Sequence, residues 1–98
     1  MFEIRQSEAG EIVMSGRLDA SQCDQALKFL DAVAEPRVID LGGLEYISSA
    51  GLGVLLKTQK RVMVSGQGLR LVNVNRHIQD IFRYAGFDRI FEVVKAPG

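Results

Sequence analysis

The chain has 98 residues, 47% of them apolar and 24% charged. That is enough for one compact domain and too little for two. Lys plus Arg is 12 and Asp plus Glu is 12, so the formal net charge is zero and the basic footprint of a nucleic-acid binder is absent. One cysteine, Cys23, excludes an internal disulfide, and one histidine, His77, excludes a His-rich zinc cluster. No run approaches the roughly 20 apolar residues of a membrane span. The opening residues include Glu3 and Glu8 and no apolar signal-peptide core, so a cytoplasmic, reducing setting is expected. We expect one domain over residues 1–98, with 95–98 as a frayed tail.

Phe2 and Ile4 alternate with Glu3 and Arg5, the period of a half-buried strand. The turn-forming residues 7–10 separate it from a second strand over 11–15, and the short connection predicts a hairpin. From Ser21 to Ala34 the period turns helical, with Cys23, Ala26, Leu27, Leu30, Val33 and Ala34 on one stripe. Ser21 is the expected N-cap and Pro36 the stop signal. Residues 38–41 read as a buried central strand, followed by Gly42-Gly43 as a loop. A second helix is predicted over 49–64, with Leu52, Leu55, Leu56, Val62 and Met63 on its apolar face and Ser65-Gly66-Gln67-Gly68 closing it. Residues 69–74 read as a strand. Asn75 suits the cap of a third helix carrying Ile78, Ile81, Phe82 and Ala85, and Gly86 suits its left-handed exit. Residues 90–94 read as the last strand. The expected core contains Leu27, Leu30, Leu52, Leu55, Leu56 and Phe82.

This order predicts an α/β fold: a mixed β-sheet that begins with an antiparallel hairpin and continues with parallel strands joined by right-handed crossover helices. If successive strands are neighbours, the helices share one face. The other face is then covered by something else or is partly polar.

The most informative segment is Glu45-Tyr46-Ile47-Ser48-Ser49-Ala50-Gly51-Leu52-Gly53. It places two hydroxyls and several small residues at a predicted helix N-terminus, where backbone N–H groups are unpaired and the dipole end is positive. Such an end favours an anion, including a covalently attached phosphate. The plainer reading is that one serine is only an N-cap. Gly51-Leu52-Gly53 lacks the third glycine of a dinucleotide fingerprint, and no Walker-type lysine follows it. No Gly-x-Ser-x-Gly elbow surrounds Ser49. No metal-type cluster of carboxylates stands out, and neither a metal nor a cofactor is expected.

The segment Ile47-Ser48-Ser49-Ala50-Gly51-Leu52-Gly53 is similar to the Asp-Ser-Ser/Thr-Gly-Leu-Gly segment of STAS domains, the fold of bacterial anti-sigma factor antagonists. Gly16-Arg17-Leu18-Asp19 resembles the Gly-Glu-Leu-Asp segment of that family. Ile81-Phe82-Arg83-Tyr84-Ala85-Gly86-Phe87 resembles its closing helix and exit. The resemblance covers nearly the whole chain. It places Ser49 at the family's phosphoacceptor, Ala50 at its second hydroxyl, Gly51 on its glycine and Ser48 where the family usually has Asp.

The resemblance implies a binding module without catalysis of its own. Its partner would be an anti-sigma factor that is also a GHKL-type serine kinase. Phosphorylation of Ser49 would release that partner, and a PP2C-type phosphatase would restore binding. Asp19, Ser48, Ser49, Ala50, Gly51, Leu52, Gly53 and Lys57 are the expected partner-binding residues, with Ser48 the less favoured acceptor. The missing Asp gives weight to an alternative: a constitutive STAS scaffold subunit of a lipid-transport ABC complex. An enzyme would need a nucleophile–base pair or a phosphate loop, and the sequence displays neither.

Overall fold

The computed structural model describes residues 1–97. Strands β1 (Phe2–Gln6), β2 (Ile12–Leu18), β3 (Val38–Ile47), β4 (Arg70–Val74) and β5 (Glu92–Lys95) lie side by side in chain order. β1 and β2 pair antiparallel as a hairpin, and every later neighbour is parallel. Helices α1 (Cys23–Ala32), α2 (Ser49–Met63) and α3 (Arg76–Ala85) occupy the three crossovers. Right-handed crossovers between strands that step in one direction all land on the same side. Accordingly Ile12, Met14, Leu18, Ile39, Leu41 and Leu71 of the sheet meet Ala26, Leu30, Leu55, Ile78 and Phe82 of the helices in one core. The rings of Phe82, Phe87 and Phe91 close the end of that core, with successive centroids 5.4 and 4.9 Å apart.

The helix-free face takes the polar solution. Glu3, Arg5, Arg17, Glu45, Arg70 and Glu92 stand exposed. Asn73 Nδ2 donates to Asp40 Oδ2 at 3.0 Å and ties β4 to β3 on that side.

Several boundaries differ from expectation. The first helix has a separate entry: a 3-10 turn over Ala20–Gln22 precedes α1, and Asp19 rather than Ser21 caps it, accepting from the Ser21 N–H. β3 runs straight through Gly42-Gly43 instead of ending in a loop there. The reason is close approach: a Cβ on Gly43 would lie 2.8 Å from the Ser15 Cβ. Beside it β2 bulges at Gly16, whose φ of 86° few other residues adopt. The last strand begins at Glu92, because the left-handed Gly86 leads into a second 3-10 turn, Phe87–Arg89, and leaves Ile90 exposed. Lys95 belongs to β5, and the Ala96 N–H donates to the Val74 carbonyl at 3.1 Å, so the expected tail is tied down at its start. Gly98 lies outside the described residues.

The buried stripe of α2 is also rotated from the expected one. Val54, Leu55, Thr58, Gln59 and Val62 are buried, whereas Leu52 and Leu56 are half-buried and Met63 is 50% exposed. On the other two helices Leu30, Ile78 and Phe82 are buried as expected, while Leu27 and Ile81 are only half-buried and Ala85 is exposed; α1 ends at Ala32, with Val33 extended, so Ala34 lies beyond it and is exposed. Two polar residues can join the core because each is hydrogen-bonded. Thr58 Oγ1 donates to the Val54 carbonyl at 3.0 Å. Gln59 accepts from the Leu69 N–H at 2.7 Å and donates to the Ile90 carbonyl at 3.0 Å, joining α2 to the start of β4 and the approach to β5. Gly68 leaves room for that amide, since a Cβ there would lie 2.7 Å from Gln59 Nε2.

These burials predict a contrast measurable by denaturant melts. Leu55→Ala, at a fully buried site, should cost about 2–5 kcal/mol. Met63→Ala should stay within about 0.5 kcal/mol of the parent, as a surface change does. Equal losses at the two positions would place the α2 core stripe wrongly.

Candidate functional site

The site forms where β2 and β3 end together. Leu18 pairs with Ile47 in parallel register, and the next N–H along β3, that of Ser48, donates to the Leu18 carbonyl at 2.9 Å. The two chains then diverge, one into the Asp19 turn and the other into α2. Ser48 keeps extended dihedrals, φ −85° and ψ 172°, as an N-cap residue does. Its Oγ accepts from the Gly51 N–H at 3.1 Å and its carbonyl accepts from the Leu52 N–H at 2.9 Å.

The two serines therefore divide the work. Ser48 is half-buried and its hydroxyl is engaged by the cap, whereas Ser49 is the first helical residue and is exposed. Ala50 and Lys57 are exposed beyond it, and Leu52 and Gly53 are half-buried. Gly51 points the other way. It is buried, and a Cβ there would lie 2.8 Å from Ile47 Cγ1 and 3.0 Å from both Leu18 Cγ and the Leu18 carbonyl oxygen. Of the residues expected on the partner face, Gly51 is thus the one that faces inward; its role is to let α2 sit directly on the two strand ends.

Asp19 borders the same junction. Its Oδ1 accepts from the Ser21 N–H at 3.1 Å and from the Ser21 hydroxyl at 2.7 Å, which fixes the carboxylate at the mouth of the turn. Cys23, at the start of α1, donates its thiol to the Asp19 carbonyl at 3.3 Å. Burial pushes the Cys23 thiol pKa up, the charges of Asp19 and Asp24 push the same way, and the nearby Ser48 side chain acts against them. A thiol held protonated is a poor nucleophile, so Cys23 is a packing residue of the junction. Arg17, one residue before Leu18, lies over the Tyr46 ring at 4.5 Å. Among the described residues no three His, Cys, Asp or Glu side chains gather as a metal would require.

Sequence reasoning missed one anchor of α2, at the end of the helix away from the site. By its place in the last turn of α2, Arg61 needs only solvent and the helix dipole. Its Nη2 instead donates to the Leu30 carbonyl at 2.7 Å, with the Val33 carbonyl at 3.4 Å and Asp31 3.6 Å from its Nε. It thus adds a second donor to the Leu30 carbonyl, which also accepts from the Val33 N–H at 3.2 Å, and ties the end of α2 to the end of α1. No local sequence signal marks this, because the partners are about 30 residues away.

Comparisons with known proteins agree with this geometry. A family model described as "Mlab, STAS domain" matches residues 1–95. A protein of Bordetella bronchiseptica, named as a candidate anti-sigma factor antagonist, BtrV, is 41% identical over 59 residues, which are 60% of this chain and 51% of that protein. The match therefore spans about half the length of that relative. An anti-sigma-factor antagonist (STAS) domain protein from Planctomyces limnophilus superposes with a TM-score of 0.73 at 24% identity, covering 97% of this chain and 89% of its own. The phosphorylated form of the Bacillus cell fate determinant SpoIIAA superposes with a TM-score of 0.66 at 16% identity, covering 95% and 90%. At these identities the likeness to the two solved structures is one of fold. It includes the single mixed sheet, the opening hairpin and the helix-joined parallel strands.

The cap geometry predicts opposite results at adjacent serines. Ser48→Ala should lose about 1 kcal/mol of stability, because the Gly51 N–H loses its acceptor. Ser49→Ala should change stability by less than about 0.5 kcal/mol. Thermal melts of the two variants compare them directly, and a larger loss at Ser49 would mean that the cap is misassigned.

Proposed function

Because the chain belongs to the STAS domain family, we propose that it is an anti-sigma factor antagonist switched by phosphorylation of Ser49. The observation that carries this reading is the division of labour between the two serines: Ser48 is engaged by the helix cap while Ser49 is exposed at the first turn of α2. A kinase needs an accessible hydroxyl, and this segment offers it at Ser49. The unmodified surface of Ser49, Ala50, Leu52 and Gly53 is small and uncharged, flanked by Asp19 and Lys57. An anti-sigma factor that is also a GHKL-type serine kinase packs against it and gives up its sigma factor.

In the modification step the Ser49 oxygen bonds to the γ-phosphorus of ATP, the bond from that phosphorus to the bridging oxygen breaks, and ADP leaves with the electron pair. The hydroxyl proton is lost to solvent or to the kinase. The product carries about −1.5 to −2 charges at neutral pH. Inside a desolvated contact that charge lowers affinity without any change of fold, and the partner dissociates. A PP2C-type phosphatase hydrolyses the ester and restores the binding form. The protein itself acts in the cytoplasm as a binding module, with no catalysis and no cofactor of its own.

A second reading has a specific observation behind it. The matching family model is described by the name Mlab, and Ser48 stands where most phospho-switched members have Asp. In that reading the same face holds an ATPase subunit of a lipid-transport ABC complex constitutively.

Incubation with ATP, magnesium and each GHKL-type anti-sigma kinase of the same genome separates the two. The expected outcome is one added phosphate, assigned by mass spectrometry to Ser49. Titration calorimetry should then give comparable binding for the parent and Ser49→Ala, and weakened binding for Ser49→Asp. The Asp form should fold normally, since a carboxylate in the first turn suits the helix dipole. Phosphate on Ser48 or Thr58, or equal affinity of modified and unmodified protein, would defeat the switch and favour the scaffold.

A further inference from the structure

β1 is an outer strand of the sheet, with β2 on one side and no strand on the other. Its hydrogen bonds show which residues face that open side. The Ser7 N–H donates to the Glu11 carbonyl at 2.8 Å and the Arg17 N–H to the Met1 carbonyl at 2.9 Å, just beyond the two ends of the β1–β2 register. Bonded pairs alternate along an antiparallel ladder, so Glu3 and Arg5 share their bonds with Ser15 and Val13. Phe2, Ile4 and Gln6 therefore turn their N–H and carbonyl groups outward, where they meet no backbone partner among the described residues. Such an edge is a template for another strand, and proteins commonly blunt it with a proline, a bulge or an inward-pointing charge. β1 carries none of these. Phe2 and Ile4 pack on the core, and the charges of Glu3 and Arg5 stand on the helix-free face. Among the described residues neither charge forms an ion pair, whereas Arg70 and Glu92 near the opposite edge pair at 2.7 Å.

The edge is self-complementary. Two copies of Phe2-Glu3-Ile4-Arg5-Gln6, set antiparallel about a two-fold axis at Ile4, place Ile4 opposite Ile4 and Phe2 opposite Gln6. These are the residues with outward backbone groups, so each such pair can exchange two hydrogen bonds. Between them lie the non-hydrogen-bonded positions, where side chains come closest. There Glu3 of one copy faces Arg5 of the other, on both sides of the axis. Moving the axis to Glu3 or to Arg5 keeps the bonding alternation but loses bonded pairs. It also sets Glu3 against Glu3 or Arg5 against Arg5, and like charges directly opposite are destabilising. Backbone bonding and charge thus select the same register.

We propose that β1 is a homotypic pairing edge, through which two copies of this chain join as a symmetric dimer with one continuous sheet. The contact is isologous, the same strand serving on both sides. A five-residue edge buries less than the about 1,200 Å² of a standard stable interface, so the dimer is weak and reversible. β2 stands between this edge and β3, whose end carries the Ser48-Ser49 segment. The pairing is therefore independent of any phosphorylation there.

Sedimentation equilibrium of the untagged chain, from micromolar to millimolar protein, should show a monomer–dimer equilibrium. Glu3→Arg and Arg5→Glu should each weaken it by about tenfold or more, since each turns both attractive pairs into repulsive ones. An equimolar mixture of the two variants should recover dimers, because every facing pair is then of opposite charge. The double variant Glu3→Arg/Arg5→Glu exchanges the charges without changing composition and should recover the parent's affinity. Gln6→Pro removes an outward N–H and spares the bonds to β2, so it should weaken the dimer with both charges kept. Glu3 and Arg5 are exposed, so the reversals should cost little stability, and thermal melts confirm that each variant is folded. A parent that stays monomeric up to millimolar concentration overturns the proposal. So does a dimer that both single reversals leave intact, or one that neither the mixture nor the double variant restores.

Discussion

The hydrogen bond from the Ser48 N–H to the Leu18 carbonyl holds the candidate site together. It extends the β2–β3 pairing by one residue beyond the last register pair and fixes where both chains must turn away. Gly51 then lets the first turn of α2 rest on Leu18 and Ile47 at a distance that any side chain would forbid. Once the helix starts there, the roles of the serines follow. The residue with extended dihedrals becomes the cap, its hydroxyl taken up by the Gly51 N–H, and the next residue becomes the first helical position and is exposed.

α2 is held along its length as well as at its start. Gln59 bonds the Leu69 N–H and the Ile90 carbonyl, and Arg61 bonds the carbonyls at the end of α1. Gln59 thereby satisfies backbone groups that would otherwise be costly to bury. A helix fixed in this way presents a preformed face, so binding loses little to ordering of the segment. It also allows a modification at its first turn to act through charge alone. In the proposed switch a phosphate there would change the electrostatics of the contact and give the core beneath no reason to rearrange.

The order of elements and the motif were legible because they depend on local chemistry. Asn75 caps α3 through the Ile78 N–H, and Gly86 ends it at a φ of 75°, as their residue types imply. The hairpin and the parallel crossovers followed from hydrophobic period. The misreadings share a cause: residues whose local preference was overruled by distant neighbours. Gly42-Gly43 has turn chemistry, yet the pair lies in a strand because Ser15 approaches Gly43 across the sheet. Gln59 counts as polar in any pattern, so the α2 stripe was drawn around it; in the fold its amide is completed by Leu69 and Ile90, 10 and 31 residues away. Met63 was drawn into that stripe on hydrophobicity alone and is half exposed. Ser21 looked like a cap, but Asp19, two residues earlier, uses its charged carboxylate to accept from both the N–H and the hydroxyl of that serine.

The choice of serine over aspartate at the cap has a consequence for how the surface can be used. Either residue accepts from the Gly51 N–H, so the fold does not discriminate between them. The charge does. An aspartate cap would put a permanent anion next to Ser49, within the contact itself. Ser48 keeps the cap neutral, while the Asp19 carboxylate is anchored by Ser21 at the edge of the junction. A partner packing on Ser49, Ala50 and Gly53 therefore meets a neutral centre with charge at its rim. Burying that centre avoids the cost of desolvating a carboxylate, while rim charges mainly steer association. In the proposed switch a phosphate at Ser49 would add negative charge at the centre, where it is most expensive to bury. The same neutral centre would serve a constitutive scaffold equally well. What separates the two uses is the exposed Ser49 hydroxyl, which a scaffold does not need and a switch requires.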